Sequence, residues 1–356
     1  MNSFTQTVGR VGDFGRGMWR YWRLGEPAPE SNFVVQKLFA YTDGRSNDVL
    51  FRLLESKRRE ADLDLGWAGA SVSEAGIADP SIEGAVRALR EDGVVALPPR
   101  LKRGTVEDLR EMAVSCSMRT RTYGAPAAGQ APGTQTNVPT AGTGTSEGID
   151  LAQPRYSTYE VPRELLLENE YVQSLLCDPY LLAIAARYLG VFPVVTKPEM
   201  WWDTDFVPEG LRPRPFHVDS GCLRWLKVGI NLTDTTMETP HFVYVKGSHR
   251  PNKKTRTLTK RLVSRMNLSD REVNEVCPER IVHVTGAAGS ITLADTRGIH
   301  KGEISQRGHR LILYFGLEGS AFNNIDKPVP VNKVGSELGR AMSARPFSYQ
   351  FFRAVH

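Results

Sequence analysis

Hydrophobic positions along the chain change period near residue 190. Before that point they recur at helical spacing, and after it they fall in short alternating runs. Val49, Leu50, Leu53 and Leu54 mark a helix over residues 46–60, with charges collecting at its end. A second helix is predicted over 81–90. Asp92 and Gly93 stop it, Val94 to Leu97 form a short strand, and Pro98 and Pro99 end that strand. Residues 105–116 predict a helix with Thr105 as its N-cap and Glu107 and Asp108 in the first turn. Helices over 163–176 and 179–189 follow, the second ended by Gly190, whereas residues 61–81 predict no clear element.

From residue 191 the runs are strand-like: 191–202, 214–219, 222–232, 241–245, 280–284, 290–294 and 309–315. Short strands separated by turn signals indicate an antiparallel sandwich or barrel and argue against a βαβ fold. No GxGxxG follows a strand and no GxxxxGK[ST] occurs, so neither nucleotide-binding fold has support. The aromatic run 347–352 predicts a further strand at an edge or a subunit contact. Residues 125–146 are nearly all Gly, Ala, Pro, Ser and Thr, a composition that predicts a flexible loop; a lid ordered by substrate is its functional alternative.

Composition narrows the class. The 356 residues are 40% hydrophobic, enough for a sizeable core, and 45 Lys+Arg against 40 Asp+Glu give a formal charge of +5. That modest, dispersed charge does not predict a nucleic-acid partner. Cys116, Cys177, Cys222 and Cys277 are far apart and lack metal-ligand spacing, so reduced thiols in a cytoplasmic protein are expected. No run of about 18 apolar residues predicts a transmembrane span, and the first 25 residues lack the apolar stretch of a secretory signal. Arg10, Arg16, Arg20 and Arg23 stand beside Phe14, Met18, Trp19, Tyr21 and Trp22. Packing of this segment on its own domain is favoured over a peripheral membrane contact of residues 10–25.

The chemistry concentrates around Pro215-Phe216-His217-Val218-Asp219. In a strand, positions i and i+2 share a face, so the His217 imidazole and the Asp219 carboxylate converge. His300, just beyond a strand, is placed to be the third ligand. Two imidazoles and a carboxylate make a facial triad, which leaves sites open for a chelating co-substrate and O2 at a non-haem Fe(II) centre. A chelating oxo-acid such as 2-oxoglutarate has a far carboxylate that needs a buried cation. Arg310, opening the apolar strand ten residues after His300, can supply it, whereas Arg307 sits in the preceding turn. His241, His249, His283 and His309 are expected to be packed or superficial, with His249 a candidate support for the site.

These motifs resemble the phytanoyl-CoA dioxygenase family of Fe(II)/2-oxoglutarate oxygenases. Residues 85–101 (AVRALREDGVVALPPRL) resemble the family's opening helix and strand, and His217 with Asp219 its HxD motif. Residues 228–249 resemble its strand, acidic turn, strand and PGSH run, with Lys246 where proline is usual. Residues 286–316 resemble its glycine turn, distal histidine and co-substrate arginine. The resemblance implies a mainly β fold with helical additions, built on a double-stranded β-helix (jelly roll, cupin-like) core. It implies that His217, Asp219 and His300 bind Fe(II), that Arg310 binds 2-oxoglutarate, and that Lys197 is the second co-substrate group. A carboxylate at 219, where related halogenases have a small residue, implies oxygen transfer or another hydrogen-abstraction outcome.

The expected organisation is an N-terminal helical extension (1–80), a dioxygenase domain (81–325) with the 125–148 loop and a basic 250–265 insert, and a tail (326–356). Arg250, Lys253, Lys254, Arg256, Lys260, Arg261 and Arg265 give that insert one sign of charge. It would draw in a small substrate linked to phosphate, carboxylate, CoA or a carrier; its structural alternative is a solvated basic helix. Hydroxylation of an sp3 carbon, with release of succinate and CO2, is the default activity. Desaturation or cyclisation by the same site, or a non-catalytic jelly-roll binding protein, are the alternatives. Homo-oligomerisation stays open.

Overall fold

The computed structural model describes residues 3–59, 81–122, 141–207, 214–250, 252–265, 267–304 and 307–355. Two antiparallel sheets form the centre. The larger runs in the order Val94–Leu97, Ile291–Ala294, Trp225–Asn231, Arg310–Glu318, Glu199–Asp203, Thr158–Glu160, Ser117–Thr122, Ala141–Glu147, with Val194–Val195 also pairing the Arg310 strand. The smaller consists of His300–Glu303, His241–Val245 and Ile281–Val284, and the bridge between His217 and His300 extends its edge. From residue 199 onward the chain visits the large sheet, the small sheet at 216–217, the large, the small twice, the large, the small and the large again. That alternation is the double-stranded β-helix.

The alternation of side chains explains why these segments stay in their sheets. Leu226, Val228 and Ile230, with Leu311, Leu313, Phe315 and Leu317, join the main hydrophobic core, which also contains residues of the helices Ser81–Glu91, Arg103–Ser115 and Pro179–Leu189. The opposite positions, Lys227, Gly229 and Asn231 with Arg310, Ile312 and Tyr314, line a narrow cavity between the sheets. Burial on both faces leaves the whole strand Arg310–Glu318 inside the protein. Helix Pro179–Leu189 has matched end signals: the Asp178 carboxylate accepts from the amides of Tyr180 and Leu181, and Gly190 closes it at φ 79°. Trp202, fully buried, donates from Nε1 to the Ala113 carbonyl at 2.8 Å and ties the sheet to helix Arg103–Ser115.

Several expectations are corrected. Helix Arg103–Ser115 starts before Thr105, which is buried inside it and does not cap it. The helix over 163–176 breaks into Arg163–Glu168 and Glu170–Leu176, because the Asn169 side chain accepts from Val172 N and caps the second piece. The end of the small-residue run is the strand Ala141–Glu147, paired to Ser117–Thr122; its threonines suit a strand despite the loop-like composition. Residues 125–140 of that run, and 60–80, lie outside the described residues. The 347–352 run is mostly turn: Tyr349 and Phe351 are buried, and only Phe352 opens a strand, Phe352–Ala354, parallel to Val329–Val331.

The basic insert has a packing role. Helix Arg256–Arg265 buries Leu258 and Leu262 against Val243, Val245 and Phe216, so it covers the outer face of the small sheet. Lys254 pairs with Glu279, Arg256 with Asp43 and Arg261 with Glu272. At the N-terminus, Tyr21 of helix Ser3–Leu24 bonds Glu55 at 2.6 Å, and Phe14 and Tyr21 pack edge-on to Phe322. One face of this helix therefore docks on the domain, while Trp19 and Trp22 are exposed. Among the described residues no helix is long and apolar enough to cross a membrane, and all four cysteines are unbridged.

A candidate metal centre

His217, Asp219 and His300 come together as the sequence predicts: each offers one ligand atom, and these lie within 4.8 Å of one another. Asp219 Oδ1 is 3.9 Å from His217 Nε2, and its Oδ2 is 3.6 Å from His300 Nε2. The backbone fixes the two outer ligands. His217 and His300 exchange both amide–carbonyl bonds at 2.9 Å, and the Asp219 amide donates to the Thr296 carbonyl at 2.8 Å. Each imidazole engages a carbonyl through Nδ1, His217 with Pro215 at 3.3 Å and His300 with Gly298 at 2.9 Å. Donation from Nδ1 leaves an Nε2 lone pair on both rings turned to the shared centre.

The electrostatics suit a cation. Burial, then the neighbouring His217, push the His300 imidazole down to about 4, so it is neutral at pH 7. Burial alone would raise the Asp219 carboxyl, but His300, Lys227 and His217 outweigh it and hold it below the ordinary value. An anionic carboxylate with two imidazole nitrogens is a hard and borderline donor set, and it fits a divalent first-row metal such as Fe(II). The His217 side chain is 38% exposed and that of His300 5%, so the centre opens to solvent on the His217 side.

The loop bearing His300 is tightly packed. A Cβ on Gly298 would lie 2.0 Å from the Tyr244 hydroxyl, so only glycine fits where Tyr244 bonds the Asp295 carbonyl at 2.7 Å. Ser248 accepts from the Ile299 amide and donates to the Val245 carbonyl, which joins the GSH turn to the His300 loop. His249 is buried beside this turn, and burial pushes its imidazole down to about 4. Buried neutral histidines make stability pH-dependent: between pH 6.5 and 4 the unfolded chain binds protons at His249 and His300 that the folded metal-free protein does not. Stability therefore falls as pH falls through that window, by about 1.4 kcal/mol per pH unit for each such group. Urea unfolding of metal-free protein at pH 7, 6 and 5 should show this decline, and replacing His249 by phenylalanine should flatten it.

Arg310 is buried and lines the cavity between the sheets. Its Nη2 donates to Asp203 Oδ2 at 2.6 Å, and Asp203 also accepts from Arg214 at 3.2 Å. Its Nε is buried without a partner, an unused donor suited to an incoming carboxylate. Lys197 is not brought to this cavity: its ammonium lies 2.9 Å from the Asp326 carboxylate and bonds the Lys327 carbonyl. The polar cation that sequence reasoning missed is Lys227. It lines the cavity, lies 4.9 Å from the centre of the Tyr314 ring, and acts on the Asp219 carboxylate through its charge without a close ion pair among the described residues. The signal was present, since Lys227, Gly229 and Asn231 occupy the non-aliphatic side of an alternating strand. Trp201 stacks on Tyr314 at 4.8 Å, while Trp202 faces the outer core.

No protein-family description matches the chain, and no curated protein is significantly similar in sequence. Solved structures resemble it at low identity. The α-ketoglutarate-dependent carbocyclase SnoK from nogalamycin biosynthesis is 20% identical over 70% of this chain and 87% of its own, with a TM-score of 0.44. HygX from Streptomyces hygroscopicus, with nickel and 2-oxoglutarate bound, is 15% identical over 72% and 92%, with a TM-score of 0.43. EvdO2 from Micromonospora carbonacea var. aurantiaca, in complex with 2-oxoglutarate, is 18% identical over 70% and 94%, with a TM-score of 0.43. Likenesses this distant carry no weight in assigning the residues of this chain.

Proposed function

We propose that this protein is an Fe(II)/2-oxoglutarate-dependent oxygenase that oxidises an aliphatic carbon of a small molecule. The observation that carries the proposal is the convergence of His217, Asp219 and His300, both imidazoles held by backbone carbonyls, beside a cavity containing Arg310 and Lys227. His217, Asp219 and His300 would hold the metal. When bound, Fe(II) supplies O2 activation coupled to conversion of 2-oxoglutarate to succinate and CO2, with removal of hydrogen from substrate carbon.

The chain's own groups do the rest. His217 and His300 would supply nitrogen donors, and Asp219 the negative charge that offsets part of the metal's. The Arg310 Nε would take the far carboxylate of 2-oxoglutarate, with Asp203 holding the guanidinium through Nη2. Lys227 keeps positive charge beside the co-substrate, and Phe242, Ile312 and Tyr314 exclude water from the cavity. The proposal is a reaction class. Hydroxylation, desaturation and ring closure share the initial hydrogen removal; an added oxygen in the product mass marks hydroxylation, and the vinylic signals of a new alkene separate desaturation from ring closure.

Anaerobic titration of the metal-free protein with Fe(II) and then 2-oxoglutarate tests the proposal. A weak visible charge-transfer band that requires both additions is the expected result. Its absence from folded protein with iron in excess would leave the three ligand residues as framework, and a jelly-roll binding protein would become the better description.

A further inference from the structure

The N-terminal extension reaches the metal centre through charge. Asp48, on helix Arg45–Leu54, accepts from Arg224 Nε at 2.7 Å and from Arg297 Nη1 at 3.3 Å. Arg297 is buried, and it binds the fully buried Asp295 through Nε at 2.9 Å and Nη2 at 2.6 Å. Its Nη1 also donates to the Leu223 carbonyl at 3.3 Å, and the Tyr188 hydroxyl donates to Asp295 at 2.7 Å. The neighbouring Asn47, fully buried, donates to the Cys222 carbonyl at 2.9 Å.

The two segments gripped in this way hold the candidate ligands. Loop 295–298 provides the Thr296 carbonyl that accepts from Asp219 N and the Gly298 carbonyl that engages His300 Nδ1. Segment 222–224 follows Asp219 after Ser220 and Gly221. One guanidinium, Arg297, therefore lies between a carboxylate on the His300 loop and a carboxylate on the extension. A buried guanidinium between two carboxylates is costly to leave half-paired, so its position follows both partners.

Resting on the reading of this site as a metal centre, we infer that Asp48 is a positioning residue. Through Arg297 and Arg224 it sets the backbone that aims His300 and Asp219, and the N-terminal helices are part of the metal-site machinery. The coupling is reciprocal: whatever fixes the ligands also steadies helix Arg45–Leu54.

The test uses the full-length chain with Co(II) as the probe metal. Asp48→Asn should fold, bind Co(II) about 10-fold more weakly, the effect typical of losing an outer partner of a ligand, and show faster amide exchange at 219–224 and 295–300. Asp43→Asn, which loses a contact between the extension and Arg256 only, should change neither. In the unaltered protein, Co(II) should slow exchange in helix Arg45–Leu54 as well as at the ligands, a readout that holds even where Asp48→Asn fails to fold. Protection confined to the ligand segments, or Asp48→Asn with wild-type affinity and exchange, would overturn the inference. Should the wild type take up no more Co(II) than a His217→Ala control, the metal-centre reading itself fails. Exchange in metal-free Asp48→Asn would then still report whether the clamp steadies the loop.

Discussion

Replacing His217 with alanine is expected to remove the Fe(II)- and 2-oxoglutarate-dependent charge-transfer band and weaken Co(II) binding more than about 100-fold, beyond the loss typical of an outer partner. Turnover should drop to background. The prediction is informative because His217 can be removed without breaking the fold. Its side chain is part-exposed, and among the described residues its one side-chain hydrogen bond is a long one to the Pro215 carbonyl at 3.3 Å. His300 is the poorer first choice, being buried and packed against Phe242. Isothermal titration with Co(II), run beside a thermal melt, separates lost ligation from lost structure. A His217→Ala protein that binds Co(II) like the wild type would remove the facial triad from consideration.

The second large effect belongs to Arg310. Arg310→Leu leaves Asp203 buried with Arg214 as its remaining cation, 3.2 Å away. Removing one partner of a buried ion pair costs about 3–5 kcal/mol, because the other charge stays desolvated. Urea unfolding should show that loss, and the iron-loaded variant should bind 2-oxoglutarate at least about 10-fold more weakly, each tenfold being about 1.4 kcal/mol. The double change Arg310→Leu/Asp203→Asn separates the two roles. Stability should return in part as the stranded charge disappears, while co-substrate binding stays weak. Lys197→Met should leave co-substrate binding intact, since that ammonium is spent on Asp326. Undiminished binding in Arg310→Leu would move the carboxylate site elsewhere in the cavity, with Lys227 next in line.

Much of the site was legible because its logic is local. The i and i+2 spacing of His217 and Asp219 puts both on one side of an extended segment whatever surrounds it. The apolar runs at 226–230 and 311–317 carry an aliphatic face that must be buried, so strands of an antiparallel sandwich or barrel could be read from period alone. Gly190 was legible as an end signal, whereas the caps at Asn169 and Asp178 were visible only in the structure.

What the sequence determined by itself is therefore the antiparallel β class of the core, the shared face of His217 and Asp219, and the arginine that opens the last core strand. The tertiary structure decided which cations face the cavity, putting Lys227 in and Lys197 out. It also decided that Asp203 lies opposite Arg310, and that Asp48 of an otherwise unassigned extension reaches Arg297. It turned the basic insert into the cover of a sheet. Each of these depends on partners brought together by strand register or helix docking, often more than a hundred residues apart in the chain. Period and composition record which face a residue prefers, but carry no record of what will stand opposite it.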